Sequence, residues 1–413
     1  EQVAFIDDFG MSAPEPLLEH VRRALARIDA TTVPGGPLPA YGHGDWNDSL
    51  QPADPQLAAR LSSAWTATLK VQALRTLAGS LRAVGPRLVG QQALDAGGYA
   101  DRCERIADDT AEALHTLLIR DGVLAGYGLF SDDGSIEHLV HPSDQRTGLR
   151  YGLLQIIHAI SGDLLSPDEA SEHLAVLDEH LIGPDGARLF DRPARYHGGP
   201  MEVFQRAEAS TFFGREIGIM YTHAHLRYAE ALARHGDAEQ LLRALALANP
   251  IGVTERIPNA LPRQSTCYYS SSDATFADRD EAAARYGQVM AGTVSFEGGW
   301  RVYSSGPGIF LRLVVESFLG IRRRDGVLEI DPVLAPGLDG LQATIPLDGA
   351  PVDLTYRVGP RGAGPTAVLL NGLTLPMTTL SNPYRPAGVA IEMTLLRAGL
   401  NSSGGNHLEI RLS

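Results

Sequence analysis

The feature that most restricts the fold of this chain is a change of hydrophobic period near Gly326. Before it, apolar residues recur at helical spacing, as with Leu17, Val21, Leu25 and Ile28 between Pro14 and Ala30. The same spacing predicts long helical stretches over 55–84 and 93–119. Further helices are predicted over 148–161, 168–180, 215–235, 238–248, 278–290 and 308–319. After Gly326 the period drops to two, in the segments 327–332, 342–347, 352–358, 367–372 and 407–412, which Gly and Pro turns separate. That pattern predicts an antiparallel β domain. The basic run Arg322-Arg323-Arg324 at the junction reads as a solvated linker. Long polar loops at 34–51, 183–205 and 249–275 are where function is expected, because a helical scaffold presents its chemistry on loops.

Charge narrows the partners. Asp and Glu number 49 against 35 Lys and Arg, a formal net charge of −14. Such a chain is repelled by phosphate backbones and anionic lipid, so neither nucleic acid nor membrane is an expected partner. An anionic substrate would need a local pocket of Arg and His. Cys103 and Cys267 form no CxxC unit, which argues against a disulfide framework or a cysteine zinc site. No apolar run approaches the roughly 20 residues that span a bilayer. The first residues lack the basic and apolar regions of a signal peptide, and also an initiator Met. The expectation is a cytoplasmic protein of which this chain is a piece or processed product.

Three clusters carry candidate chemistry. In His43-Gly44-Asp45-Trp46-Asn47-Asp48-Ser49, two carboxylates flank an aromatic ring. An apolar neighbour keeps a carboxyl protonated and fit to act as a general acid, and Trp offers a flat face to a sugar. The same spacing also suits a helix cap or Asx turn. Glu216 and His223 are seven residues apart, which would put both on one face of a helix spanning them. His225 would then point away, so no His-x-His metal pair forms; a core histidine satisfied by a carboxylate or carbonyl is the competing reading of His223. Tyr303-Ser304-Ser305-Gly306-Pro307-Gly308 joins hydroxyls to a helix N-terminus, which suits an anion but equally an ordinary Ser cap. The loop 263–273, with Gln264 and Tyr268, and the segment Asp144-Gln145-Arg146 offer hydrogen bonds suited to a sugar or simply to a packed surface. GxSxG, HExxH and GxxxxGK[ST] are all absent from the sequence.

Together these clusters resemble the inverting glycoside phosphorylases of glycoside hydrolase family 94, the cellobiose phosphorylase family. Gly44-Asp45-Trp46-Asn47-Asp48 matches that family's signature, whose second Asp is the general acid. The resemblance therefore implies Asp48 as the catalytic acid, with Trp46, Asp45 and His43 binding sugar. Glu216 and His223 fit a Glu followed seven residues later by a phosphate-binding His. Tyr303-Ser304-Ser305-Gly306, leading to Leu319-Gly320-Ile321-Arg322, fits a phosphate loop in which Thr-Gly has become Ser-Ser. By this resemblance His223, Ser304 and Ser305 hold phosphate, while Glu216, Arg146, Gln264 and Tyr268 contact sugar. No metal and no cofactor are implied; inorganic phosphate is a substrate.

The residues after Asp48, Ser49-Leu50-Gln51-Pro52-Ala53-Asp54-Pro55, depart from the Gly-Met pair of most disaccharide phosphorylases. With the loop 263–273 they look most like the 1,2-β-oligoglucan phosphorylase branch. The implied activity is phosphorolysis of β-1,2-linked gluco-oligosaccharides to α-glucose 1-phosphate. The implied fold is an (α/α)6 barrel over 1–322 with a C-terminal antiparallel β-sandwich or jelly roll over 323–413. About nine helical segments precede the period change, fewer than six helix pairs, so the barrel is expected to lack its first helices. A preceding region or companion chain would then supply those helices and an upstream phosphate-binding Arg, and a homodimer is common in the family. Competing readings are a cellobiose-type phosphorylase, the phosphorylase-like domain of a cyclic β-1,2-glucan synthase, an inverting hydrolase and a non-catalytic sugar-binding fragment.

Overall fold

Small side chains at helical spacing decide how the first helices meet. The computed structural model describes the chain except for residues 1, 4–5, 8–9, 12–13, 43–49, 196–197, 209–218, 300, 302–304, 325 and 402–403. It divides into two compact units, one of residues 1–164, 190–217 and 278–283, the other of 165–189, 218–277 and 284–413. In the first unit lie α1 (Leu17–Ala30), α2 (Pro55–Arg60), α3 (Ala64–Val84) and α4 (Gln91–Leu118). Val71, Leu74, Ala78 and Leu81 of α3 pack against Ala96, Ala100, Cys103 and Ala107 of α4, with Leu25 of α1 in the same cluster. Alanine along one stripe lets two long helices approach closely. Among the described residues no helix is long and apolar enough to cross a membrane.

The helix expected over 55–84 is two. Leu61–Ser63 forms strand β1, which pairs with β2 (Tyr127–Phe130), itself paired with β3 (Ile136–Leu139). Asp54 caps α2 by accepting from the Leu57 N–H at 2.8 Å, and Ser63 caps α3 by accepting from that of Thr66. A second hydroxyl-bearing cap inside an apolar run restarts the helix.

The helix expected over 148–161 begins only at Leu154, as α5 (Leu154–Ser161). Two buried carboxylates take the N–H groups that an earlier helix would need. Asp144 accepts from the backbone of Val140, Arg146 and Thr147, and Asp191 from that of Arg150 and Tyr151.

The second unit begins with α6 (Pro167–His180), closed by a capping box between Ser166 and Glu169. Strands β4 (Met220–Tyr221), β5 (Ser271–Ala274) and β6 (Phe296–Gly298) form an antiparallel sheet in that order. Because β4 occupies 220–221, α7 (Thr222–His235) starts seven residues later than the expected 215. Then come α8 (Ala238–Ala248), α9 (Val253–Arg256), α10 (Arg279–Met290), whose residues up to Ala283 are counted with the first unit, and α11 (Ser305–Leu313), the last continued by a π-helical turn over Val314–Phe318.

The C-terminal strands form two sheets around one core. One contains β7 (Ile321–Arg324), β8 (Val327–Ile330), β13 (Thr378–Thr379) and β14 (Val389–Glu392), in the order 7-8-14-13. The other contains β9 (Gln342–Leu347), β10 (Ala350–Arg357), β11 (Pro365–Leu370), β12 (Leu373–Thr374) and β15 (Asn406–Leu412), in the order 9-10-15-11-12. Leu328, Ile330 and Ile391 of the first sheet and Leu354, Tyr356, Val368 and Ile410 of the second share that core. The sheets are not wholly antiparallel, since β10 and β15 run parallel. Nor is the basic run a linker: Arg322–Arg324 belongs to β7, and Arg322 pairs across the ladder with Glu329 at 2.6 Å. Arg385 joins this part to the helices, gripping Asp331 at 2.7 and 2.9 Å and donating to the Ala233 carbonyl of α7.

Candidate functional site

The signature residues His43, Asp45, Trp46 and Asp48 lie outside the described residues, but both ends of their loop are fixed within the first unit. At one end, the N–H groups of Tyr41 and Gly42 donate to the carbonyls of Leu61 and Ala58. At the other, Gln205 N–H donates to the Gln51 carbonyl at 2.9 Å, and Ala53 N–H to that of Val203 at 2.8 Å. The segment receiving these contacts is shaped by buried Glu208, whose carboxylate accepts from the N–H groups of Glu202, Val203 and Phe204 at 2.6–3.0 Å. A carboxylate holding three successive amides makes a stiff bend. Glu208 is not apparent as a functional residue in the sequence, because the segment it bends meets the loop only through Val203 and Gln205, some 150 positions from Ala53 and Gln51.

In the second unit, the N-termini of α7 and α11 come together. Thr222 opens α7, its N–H donating to Ser270 and its Oγ1 to Tyr269, at 2.8 and 2.9 Å. The Tyr268 hydroxyl shares a hydrogen bond with the Thr222 side chain, and burial pushes it up to about 12. Tyr268 also lies on the backbone of Gly306, where an added Cβ would fall 1.6 Å from the hydroxyl oxygen. One tyrosine thus touches the first turns of both helices. Ser305 opens α11, with its side chain outside the described set; Ser304 and Glu216 lie outside the described residues.

His223 stacks on Tyr221, the rings 9° from parallel with centroids 6.2 Å apart. Burial, and then the charge of Arg227, hold its pKa below the ordinary histidine range. A neutral imidazole presents one N–H donor and one acceptor. The expectation that Glu216 and His223 share a helical face through two continuous turns fails, since α7 begins at Thr222. His225 does point away. Fully buried, it accepts from Ala187 N–H at Nδ1 and donates to the Ala244 carbonyl from Nε2.

The loop before β5 is built on arginine and aromatic contacts. Arg263 lies over the Tyr269 ring at 5.6 Å and donates to Ser272 Oγ at 2.8 Å. The Tyr269 hydroxyl accepts from Gln264 N–H at 2.8 Å. The Gln264 side chain bonds Arg301 and Thr266, so it is held within its own loop. Arg146 belongs to the first unit, where it pairs with Glu137 at 3.4 Å, both largely exposed. Arg263 and Arg301 give this loop two guanidiniums, while Arg227 beside His223 is paired with Glu230. Among the described residues no group of three His, Cys, Asp or Glu is placed to hold a metal.

Asp273 on β5 is the acid that the sequence does not single out. Burial, with help from Glu297, pushes it up to about 6, while Ser271 Oγ donates to its Oδ2 at 3.3 Å. Its Oδ1 is buried without a partner among the described residues. The signal is not local, because Glu297 reaches it only through the pairing of β5 with β6.

Residues 320–410 match the family model described as the glycoside phosphorylase C-terminal domain. Over 375 residues, 91% of this chain, the sequence is 38% identical to a 1,2-beta-oligoglucan phosphorylase of Listeria innocua. It is 26% identical over 364 residues to the cyclic beta-(1,2)-glucan synthase NdvB of Rhizobium meliloti. The chain spans 33% of the length of the first relative and 11% of the second. By these matches the chain is similar to a glycoside phosphorylase over most of its own length, and its last ninety residues resemble the C-terminal domain of such enzymes.

Proposed function

We propose that this chain carries the acid- and phosphate-bearing part of an inverting phosphorylase of β-1,2-linked gluco-oligosaccharides. The observation that carries the reading is 38% identity over 91% of the chain to a 1,2-beta-oligoglucan phosphorylase, beside the Gly44–Asp48 string that resembles the family signature. We assign the helices of 1–322 to an (α/α)6 barrel and 323–413 to a C-terminal β domain, with a further region supplying the remaining helices and a phosphate-binding Arg.

In this reading Asp48, protonated, donates its proton to the glycosidic oxygen as phosphate attacks the anomeric carbon from the opposite face. The C–O bond to the leaving sugar breaks, a C–O bond to phosphate forms, and the β linkage becomes α-glucose 1-phosphate. An inverting hydrolase needs a second carboxylate to activate water. Phosphate is already an anionic nucleophile, so one acid and an anion pocket suffice. His223, Ser304 and Ser305 hold that anion; Trp46, Asp45, His43, Glu216, Arg146, Gln264 and Tyr268 contact the sugar. The convergent starts of α7 and α11, and His223 at the first of them beside Arg227, support the phosphate assignment.

Replacing Asp48 by Asn tests the acid. The expected outcome is a loss of about 10³-fold or more in kcat on unactivated oligosaccharide, with unchanged thermal unfolding. Turnover within tenfold of the unsubstituted protein would refute it.

A further inference from the structure

Two turns into α7, Glu230 accepts hydrogen bonds from two guanidiniums. Arg227 of the same helix reaches its Oε2 at 2.8 Å, and Arg312 of α11 reaches its Oε1 at 2.7 Å. His223, Arg227 and Glu230 follow one another at i, i+4 and i+7, a single stripe along α7. Arg312 stands as far from Ser305 on α11 as Glu230 stands from His223 on α7. At their starts, the two helices meet at Tyr268, which faces the Thr222 side chain and is seated on Gly306. They therefore run parallel and are tied at two levels, through Tyr268 at the N-termini and through Glu230 two turns lower.

The lower tie is partly sheltered from water, the Glu230 side chain being 25% exposed and Arg312 34%. Burial pushes the Glu230 carboxyl up, but the charges of Arg312 and Arg227 outweigh it and keep the acid ionised. A carboxylate shared between two planar guanidiniums has a fixed fork geometry. Neither Glu230 nor Arg312 belongs to the sugar- or phosphate-contacting set, and the reaction gives them no proton to move.

We propose that Glu230 is a positioning residue for the anion half of the site. Shared between Arg227 and Arg312, it sets α7 against α11 and so fixes His223 relative to the N-terminus of α11. This rests on the reading that those helix ends hold phosphate. A helix that slides by about 1 Å carries its hydrogen-bond donors out of reach of one ligand, and misplacement on that scale costs up to about 10²-fold.

Charge-preserving variants of the full-length protein test the proposal, since they alter the fork without altering the field on the anion. Glu230→Asp shortens the carboxylate so that it cannot span both guanidiniums, and Arg312→Lys replaces the fork by a point charge. Inorganic phosphate binding is measured by calorimetry, and KM is measured separately for phosphate and oligosaccharide. Both variants are expected to weaken phosphate binding about tenfold and to leave the oligosaccharide KM within about twofold. Phosphate affinity within about twofold in both variants, an equal rise in both KM values, or no phosphate binding by the unsubstituted protein would overturn the proposal. Phosphate binding that responds to the variants in a protein that makes no sugar phosphate would retain the clamp and reject the proposed activity. Arg312→Lys, at a partly exposed position, keeps the test open if Glu230→Asp does not fold.

Discussion

Tyr268 leaves no room for a side chain at Gly306, whereas Gly308, one turn-half further along α11, has open space beside it. Gly306→Ala is therefore expected to cost about 1–3 kcal/mol, because a rigid ring and backbone must separate. Gly308→Ala should be neutral or stabilise by up to about 1 kcal/mol through helix propensity. Urea unfolding of the two variants checks the contrast, and equal effects would contradict the packing described here. Asp273 gives a second residue-scale expectation. Its folded pKa of about 6 lies above the ordinary value of 3.8, so the folded state holds the proton more tightly. The contribution to stability is complete below about 3.8 and is lost as pH rises through about 6. Asp273→Asn should remove that slope, gaining on the unsubstituted protein by roughly 2 kcal/mol between pH 4 and pH 7. Parallel stability curves for the two proteins would show that Asp273 is not the group responsible.

Elements are where local pattern and tertiary contacts compete. The helix over 168–180 was legible because its start is written locally: Ser166, Pro167 and Glu169 supply cap, first turn and reciprocal bond within four residues. The helix over 148–161 was misread at its start, because the carboxylate that holds Arg150 and Tyr151 extended comes from Asp191, some 40 positions away. Likewise, the late start of α7 depends on β4 pairing with β5, and the apolar pattern of 215–235 carries no trace of that partner. Asp144→Ala tests this account at its local end. Removing the acceptor of four hydrogen bonds, one from the Thr147 hydroxyl at 2.5 Å, is expected to destabilise the first unit by about 2–4 kcal/mol. Unfolding within about 0.5 kcal/mol of the unsubstituted protein would mean that water replaces those bonds.

Across the whole molecule, the division into helices and a β ending was plain from the change of period, whereas the parallel pairing of β10 with β15 was not, because alternation fixes which face a residue takes but not which strand lies beside it. The candidate site was read in a different way, from a short contiguous string and from the spacing of Glu216 and His223, and the signature and Glu216 lie outside the described residues. What could not be read were Glu208, whose bend meets 51–53 only through tertiary contacts of its neighbours, and the pairing of Glu230 on α7 with Arg312 on α11. The most direct measurement is product formation from short β-1,2-gluco-oligosaccharides with and without inorganic phosphate, using the full-length protein, with cellobiose and laminaribiose in parallel. The account predicts α-glucose 1-phosphate only when phosphate is present and only from the β-1,2 series. Free glucose released at the same rate without phosphate would contradict it.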